Sequence, residues 1–417
     1  MLTVLRTTWP LFLGMAMLMV GNGMQGTLLG IRGGIEGVPT QQMSIVMASY
    51  FGGFLIGSLT VPRMIQKVGH VRVFAALGSL ISAILVLYPA MPYWEFWAVA
   101  RLAIGFSFCG VYITAESWLN AGATNETRGQ AMSAYMMVQM LGIVAGQGLL
   151  NIGDPAGFIP FVIPSVLVSL AFTPILLSTQ PAPRFDTIKR MSFGRLWRVS
   201  PLGCVGVFLM GGVFSSLFGM SSVWGTASDM TTGEISAFVA AIYAGGLLFQ
   251  WPIGKLSDHR DRRRLILGLA VAGAAVVIAL LSAPAGLWGL LVAAALIGGV
   301  ANPIYSLLLA YTNDLLDAAD MAAASAGLLF LNGLGSVMGP LVTGWLMGVF
   351  GLDGFWVLNA VLLAALAGYT AWRLTRRATA EPTASYTPVP PGATPVAVEA
   401  AMDADQLPPP DEVERAA

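Results

Sequence analysis

Apolar stretches of about twenty residues recur twelve times, at roughly 9–31, 41–62, 73–90, 95–119, 129–150 and 158–178, then at 201–224, 235–254, 265–283, 287–312, 321–349 and 352–372. Each matches a hydrocarbon core about 30 Å thick. Backbone N–H and C=O groups find no water in lipid, so such a run must satisfy its own hydrogen bonds as a helix. The spacing predicts an all-α polytopic membrane protein with 12 transmembrane helices in two six-helix sets. Only 10% of the residues are charged, against about 25% in a soluble domain, too few to cover such a chain in water. The first run follows Arg6 but is longer than a signal-peptide core of about 7–15 residues, so it is expected to stay as the first helix.

Basic residues orient the spans. With the N-terminus cytoplasmic, every Lys and Arg except Arg32, Arg101 and Arg415 falls on inside segments. N-in and C-in is therefore expected. The bundles are expected at 1–178 and 201–375. Between them, 179–200 is basic and carries Pro181 and Pro183, as a cytoplasmic linker would. From 376 to 417 the chain turns Pro- and acid-rich, with too few apolar residues to offset the entropy of ordering, and a disordered tail is expected.

The two halves repeat one another. The loop Val61-Pro62-Arg63-Met64-Ile65-Gln66-Lys67-Val68-Gly69-His70-Val71-Arg72 stands where Ile253-Gly254-Lys255-Leu256-Ser257-Asp258-His259-Arg260-Asp261-Arg262-Arg263-Arg264 stands in the second half. Leu141-Gly142-Ile143-Val144-Ala145-Gly146-Gln147 likewise mirrors Leu334-Gly335-Ser336-Val337-Met338-Gly339-Pro340. Matching loops at matching positions mark a duplicated six-helix unit.

Through Gly254, Asp258, Arg262 and Arg263 the second loop resembles the signature loop of the major facilitator superfamily, and the resemblance extends over roughly residues 5–375. Within that superfamily the chain is similar to the bacterial YcaD-like branch, on Gly69 to Phe74, Glu116 to Asn120, Arg128-Gly129, Gly146-Gln147 and Asn313-Asp314. The resemblance implies a transporter in a bacterial inner membrane. Arg101-Leu102-Ala103-Ile104-Gly105 resembles the superfamily's fourth-helix motif, whose Arg is tied to proton coupling in several members. Drug antiporters of the superfamily carry Gly-Pro in the fifth helix. Here Gln147 stands in place of that Pro and only Gly339-Pro340 keeps the dipeptide, which takes support from an antiporter reading.

Arg101 is the sharpest feature the residues offer. It lies about six residues, or 9 Å, inside the fourth run. A charge there costs at least about 2.5 kcal/mol to insert, so it is expected to face a cavity or a partner. Snorkelling or tying helices together is the competing reading. Gln25 lies at a similar depth on the first run, with Asn22 one turn deeper. Both are neutral, so they offer hydrogen bonds but no titratable base. Further candidates for a cavity wall are Gln139, Gln147, Trp224, Asn302, Tyr305 and Asn332, with Pro303 expected to interrupt the tenth run. Each of these also serves to hold helices together.

Glu116 falls at the cytoplasmic edge, where it reads as a gate with Arg128 or Arg72 as partner, or equally as a structural ion pair. Asp258 is expected to accept hydrogen bonds at a helix N-terminus, with Arg262 and Arg263 pairing to it and Gly254 allowing close approach. Cys109 and Cys204 read as buried small hydrophobes, and the two His as structural. There is no phosphate-cradling Gly-Lys loop and no metal-ligand spacing, so no cofactor is expected and nothing points to nucleic acid. The expectation is a monomeric, non-enzymatic carrier of a small solute through alternating access, with proton coupling through Arg101 open beside facilitated diffusion. A membrane receptor or scaffold on the same fold is the alternative. A lipid-acting enzyme would need an acid–base pair at bilayer depth.

Overall fold

A computed structural model describes residues 2–122, 125–176, 191–283 and 286–376. The chain runs as α1 (Leu2–Ile35), α2 (Thr40–Val68), α3 (His70–Ala90), α4 (Trp94–Gly122), α5 (Asn125–Leu149), α6 (Ile159–Leu176) and α7 (Phe193–Val199). The second half follows as α8 (Pro201–Ala227), α9 (Thr232–Ser257), α10 (Arg262–Ser282), α11 (Leu287–Asn313), α12 (Ala318–Phe350) and α13 (Asp353–Leu374). Among the described residues, eleven helices are long and apolar enough to cross a membrane. The sixth of the twelve expected, α6, is shorter: it has 18 residues with Pro164 and Pro174 inside it, and at 1.5 Å per residue it is about 27 Å long. The outside is oily. Trp288, Trp251 and Leu248 are 80%, 73% and 69% exposed, as lipid-facing side chains should be.

Local chemistry places the corners. One residue, Gly69, joins α2 to α3 at φ 87°, a conformation that strains any side chain with a Cβ. Ser200 caps α8 by accepting from Gly203 N–H, with Pro201 at the first helical position where no N–H is needed. Thr231 and Glu234 form a reciprocal capping box at the start of α9.

Packing repeats between the halves. α1 lies along α5 and α6, α2 along α4, and α3 along α4 and α6. In the same way α8 lies along α12 and α13, α9 along α11, and α10 along α11 and α13. Small residues permit it. Gly142 and Gly146 sit against α1 at Met19 and Val20, and their counterparts Gly335 and Gly339 sit against α8 at Phe208 and Gly212.

Where the two sets meet, the close approaches run from mid-helix to the face away from the basic loops. Gly30 and Gly34 of α1 abut Ser222 and Thr226 of α8, and Gly344 of α12 abuts Ser44 of α2. At that face Arg32 donates to the carbonyls of Pro155 and Ala156 and pairs with Glu36 at 2.6 Å.

Two features differ from expectation. The segment expected as a linker ends in an ordered helix: α7 buries Leu196 against Gly327 of α12, and Arg195 pairs with Asp320. Its earlier part, and the Pro-rich tail beyond 376, lie outside the described residues. Pro303 does not break its span. α11 continues through it, and Asn302 Nδ2 donates to Gly298 O one turn back at 3.2 Å.

Candidate functional site

A cavity of about 200 Å³ lies between the two sets, lined by α1, α2, α4 and α5 on one side and α8, α9, α11 and α12 on the other. Arg101 is the only side chain among its described lining residues that is charged at neutral pH. It is 3% exposed. Gly105, one turn beyond it, fits against the backbone carbonyl of Tyr50 where a Cβ would collide. That contact draws α2 onto α4 and sets the Tyr50 ring 4.7 Å from the guanidinium carbon.

The guanidinium dictates the hydrogen bonds around it, because arginine only donates. Arg101 Nη1 donates to Gln25 Oε1 at 2.8 Å, which forces the amide nitrogen of Gln25 away. Gln25 Nε2 then donates to Asn22 Oδ1 at 3.2 Å, and Asn22 Nδ2 donates to the Tyr112 hydroxyl at 2.9 Å. Tyr112 in turn donates to the Met19 sulfur at 3.4 Å. Every member has its donor pointing away from the charge, so each bond polarises the next. The charge-assisted bond to Gln25 is worth about 1.5–3 kcal/mol and a desolvated ring contact about 2 kcal/mol. Together they offset an insertion cost of at least about 2.5 kcal/mol. The rest of the guanidinium is poorly served. Nη2 meets only the Met47 sulfur, at 3.4 Å, and Nε is buried with no partner.

Gln139, Gln147, Asn302 and Asn332 also line the cavity. Three of them spend their amide nitrogens on backbone carbonyls: Gln147 on Gly23 at 2.6 Å, Asn302 on Gly298, and Asn332 on Val207 at 3.0 Å. Aromatic rings close the space, with Phe218 and Tyr243 centroids 4.4 Å apart and Phe54 and Tyr112 6.0 Å apart.

Two expected wall residues lie elsewhere. Trp224 is near the end of α8, where its Nε1 donates to Leu352 O at 3.1 Å inside a cluster with Phe238, Phe355 and Trp356. Tyr305 is fully buried and packs edge-on to Phe214, which is the residue that reaches the cavity. Trp224 lies more than a turn beyond the cavity-lining Phe218, and the helical phase turns Tyr305 to a neighbouring helix. The sequence reading passed over Tyr112, Tyr50 and Met47. Tyr112 carried a signal, since eleven residues are three turns and return it to the face of Arg101.

At the basic end two acids flank the turn between α9 and α10. Asp258 closes α9 as its C-cap, and the residue directly before α10 is Asp261. Asp261 caps α10, accepting from Arg263 N–H at 2.9 Å and pairing with Arg263 Nη2 at 3.1 Å. Arg262 reaches Asp314 at 2.8 Å, with the two side chains only 2% and 4% exposed. Gly254 is buried near the end of α9. Glu116 lies more than a turn before the end of α4. It is fully buried and accepts from the Tyr135 hydroxyl at 3.4 Å. Arg72 is exposed, and the Arg128 side chain falls outside the described residues.

Two repeated sets of apolar helices long enough to span a membrane, around a shared cavity, define a polytopic integral membrane protein. The chain belongs to the Major Facilitator Superfamily, whose family model matches residues 11–244 and 203–401. It is 29% identical over 349 residues to an uncharacterized MFS-type transporter of Yersinia enterocolitica, covering 82% of this chain and 89% of that one. It is 27% identical over 354 residues to the uncharacterized MFS-type transporter YcaD of Salmonella newport, covering 83% and 90%. Among solved structures it is similar to a mutant of the nucleoside transporter NupG, with TM-score 0.76 and 14% identity over 88% of this chain and 100% of that one. It also resembles a bacterial homolog of the human lysosomal transporter Spinster in an inward-facing, occupied conformation, with TM-score 0.71 and 15% identity over 87% and 95%.

Proposed function

We propose that the chain carries a small polar solute across a bacterial inner membrane, binding it beside Arg101 and exposing the cavity alternately to the two faces. The observation that carries this reading is the placement of the cavity. Both helix sets line it, and their close approaches lie to one side of it, so parting that side and closing the other would change its access without rebuilding it. With the basic loops cytoplasmic, the closed side is the outer one and both termini are inside. The described lining holds no carboxylate and no imidazole, which favours Arg101 as a solute ligand over a proton carrier and facilitated movement over proton coupling.

A reversible lock tests the movement. A Cβ built on Gly34 would stand 3.3 Å from Thr226 Cβ, close to the roughly 3.5–4.5 Å of a disulfide. In proteoliposomes, Gly34→Cys with Thr226→Cys should lose at least about 90% of solute flux on oxidation and regain it on reduction. Flux that ignores a formed cross-link would refute alternating access, and absence of flux across a broad solute panel would favour a receptor.

A further inference from the structure

The unpartnered edge of Arg101, buried beside the cavity, points to the kind of solute. Side by side on one edge of the guanidinium lie Nε, which has no partner, and Nη2, which has only a thioether. That edge presents two parallel N–H groups, the geometry that a carboxylate accepts with both oxygens. A thioether is a weak acceptor on a flexible stem. Met47, buried and outside the cavity lining, therefore covers Nη2 without satisfying it.

Charge narrows the choice. The cavity has one fixed positive charge and no fixed negative one among the described lining residues. A monoanion leaves the loaded cavity neutral. A dianion leaves an unpaired negative charge in low dielectric, and a cation meets repulsion. The aromatic walls, Tyr50, Phe51, Phe54, Phe218 and Tyr243, suit a flat apolar body.

We infer that the cavity binds a small monocarboxylate with a planar apolar body, held two-pronged by Arg101 Nε and Nη2 after Met47 swings aside. This rests on the cavity being the solute site, and it names the class of solute taken there. The amide chain from Gln25 to Tyr112 is left intact, because the bond from Nη1 lies on the other edge. No covalent change is involved.

Equilibrium binding to the purified full-length protein tests it, read by calorimetry and thermal shift with benzoate, benzamide, benzylamine and phenylphosphonate as probes. Benzoate should bind at least tenfold more tightly than the other three. Arg101→Lys keeps the charge but loses the fork, and should weaken benzoate at least tenfold. Met47→Leu keeps the volume but removes the sulfur, and should strengthen it severalfold. Benzamide binding as tightly as benzoate, preference for benzylamine or phenylphosphonate, no benzoate binding at all, or unchanged discrimination in Arg101→Lys would each overturn the inference. Neither result depends on flux. A carrier of another solute class would still lock when cross-linked, and a non-transporting receptor for carboxylates would still discriminate.

Discussion

Arg101 shows how one buried charge orders its surroundings. Since a guanidinium only donates, the orientation of two amides and a phenol follows from it. Gln25→Glu tests that order. The new carboxylate would neutralise Arg101 with a buried ion pair, so the fold should be retained. Benzoate binding should fall at least tenfold, because the cavity then carries no net charge to offer an anion. Calorimetry alongside thermal unfolding checks both, and retained benzoate affinity in a folded variant would contradict the assignment. The sequence made Arg101, Gln25 and Asn22 legible as a group, because depth along a helix is a matter of counting at 1.5 Å per residue. Tyr305 was misplaced because depth says nothing about which neighbour a face meets, and Trp224 because it lies beyond the cavity's depth. Met47 was invisible, since a methionine in an apolar run carries no mark of being beside a charge.

At the scale of elements, hydropathy and loop chemistry gave the spans to within a few residues, while the joints between them depended on contacts no local pattern encodes. α7 is the clearest case. Its basic, Pro-flanked surroundings read as linker, and it is helical because Leu196 and Arg195 find Gly327 and Asp320 on α12. The pair Arg262–Asp314 is another, joining the start of α10 to the end of α11 across residues far apart in sequence. Removing one member of a buried pair leaves the other charge stranded, at a cost of about 3–5 kcal/mol. Arg262→Met and Asp314→Leu should each destabilise by that order, while the double variant should cost clearly less than their sum. Thermal or denaturant unfolding in detergent measures the cycle, and additive losses would mean that the two side chains do not act together. A smaller change probes helix approach. Gly105→Ala should push α4 off the backbone of α2 at Tyr50 and reduce benzoate affinity through loss of the ring over Arg101, which a calorimetric titration detects.

For the whole molecule the decisive quantity is the charge that moves with the cavity. With Arg101 as the one ionised group among the described lining residues, the empty cavity carries one positive charge and the cavity holding a monocarboxylate carries none. A complete cycle therefore transfers a single negative charge in the direction of the solute, and the potential acts on the return of the empty protein. One elementary charge across 100 mV is worth about 2.3 kcal/mol, which corresponds to an accumulation of about fifty-fold at equilibrium. Proteoliposomes given an inside-positive potassium diffusion potential of about that size should accumulate radiolabelled benzoate by that order. A proton gradient of equal free energy with no potential should give none beyond the passive distribution seen in empty vesicles. In Arg101→Ala the potential-driven uptake should vanish, because the carboxylate then has no guanidinium to bind and would enter the cavity as an unpaired charge. Accumulation that followed the proton gradient instead would require a titratable carrier in the pathway, and the carboxylate-free lining around Arg101 would then be the wrong place to look for coupling.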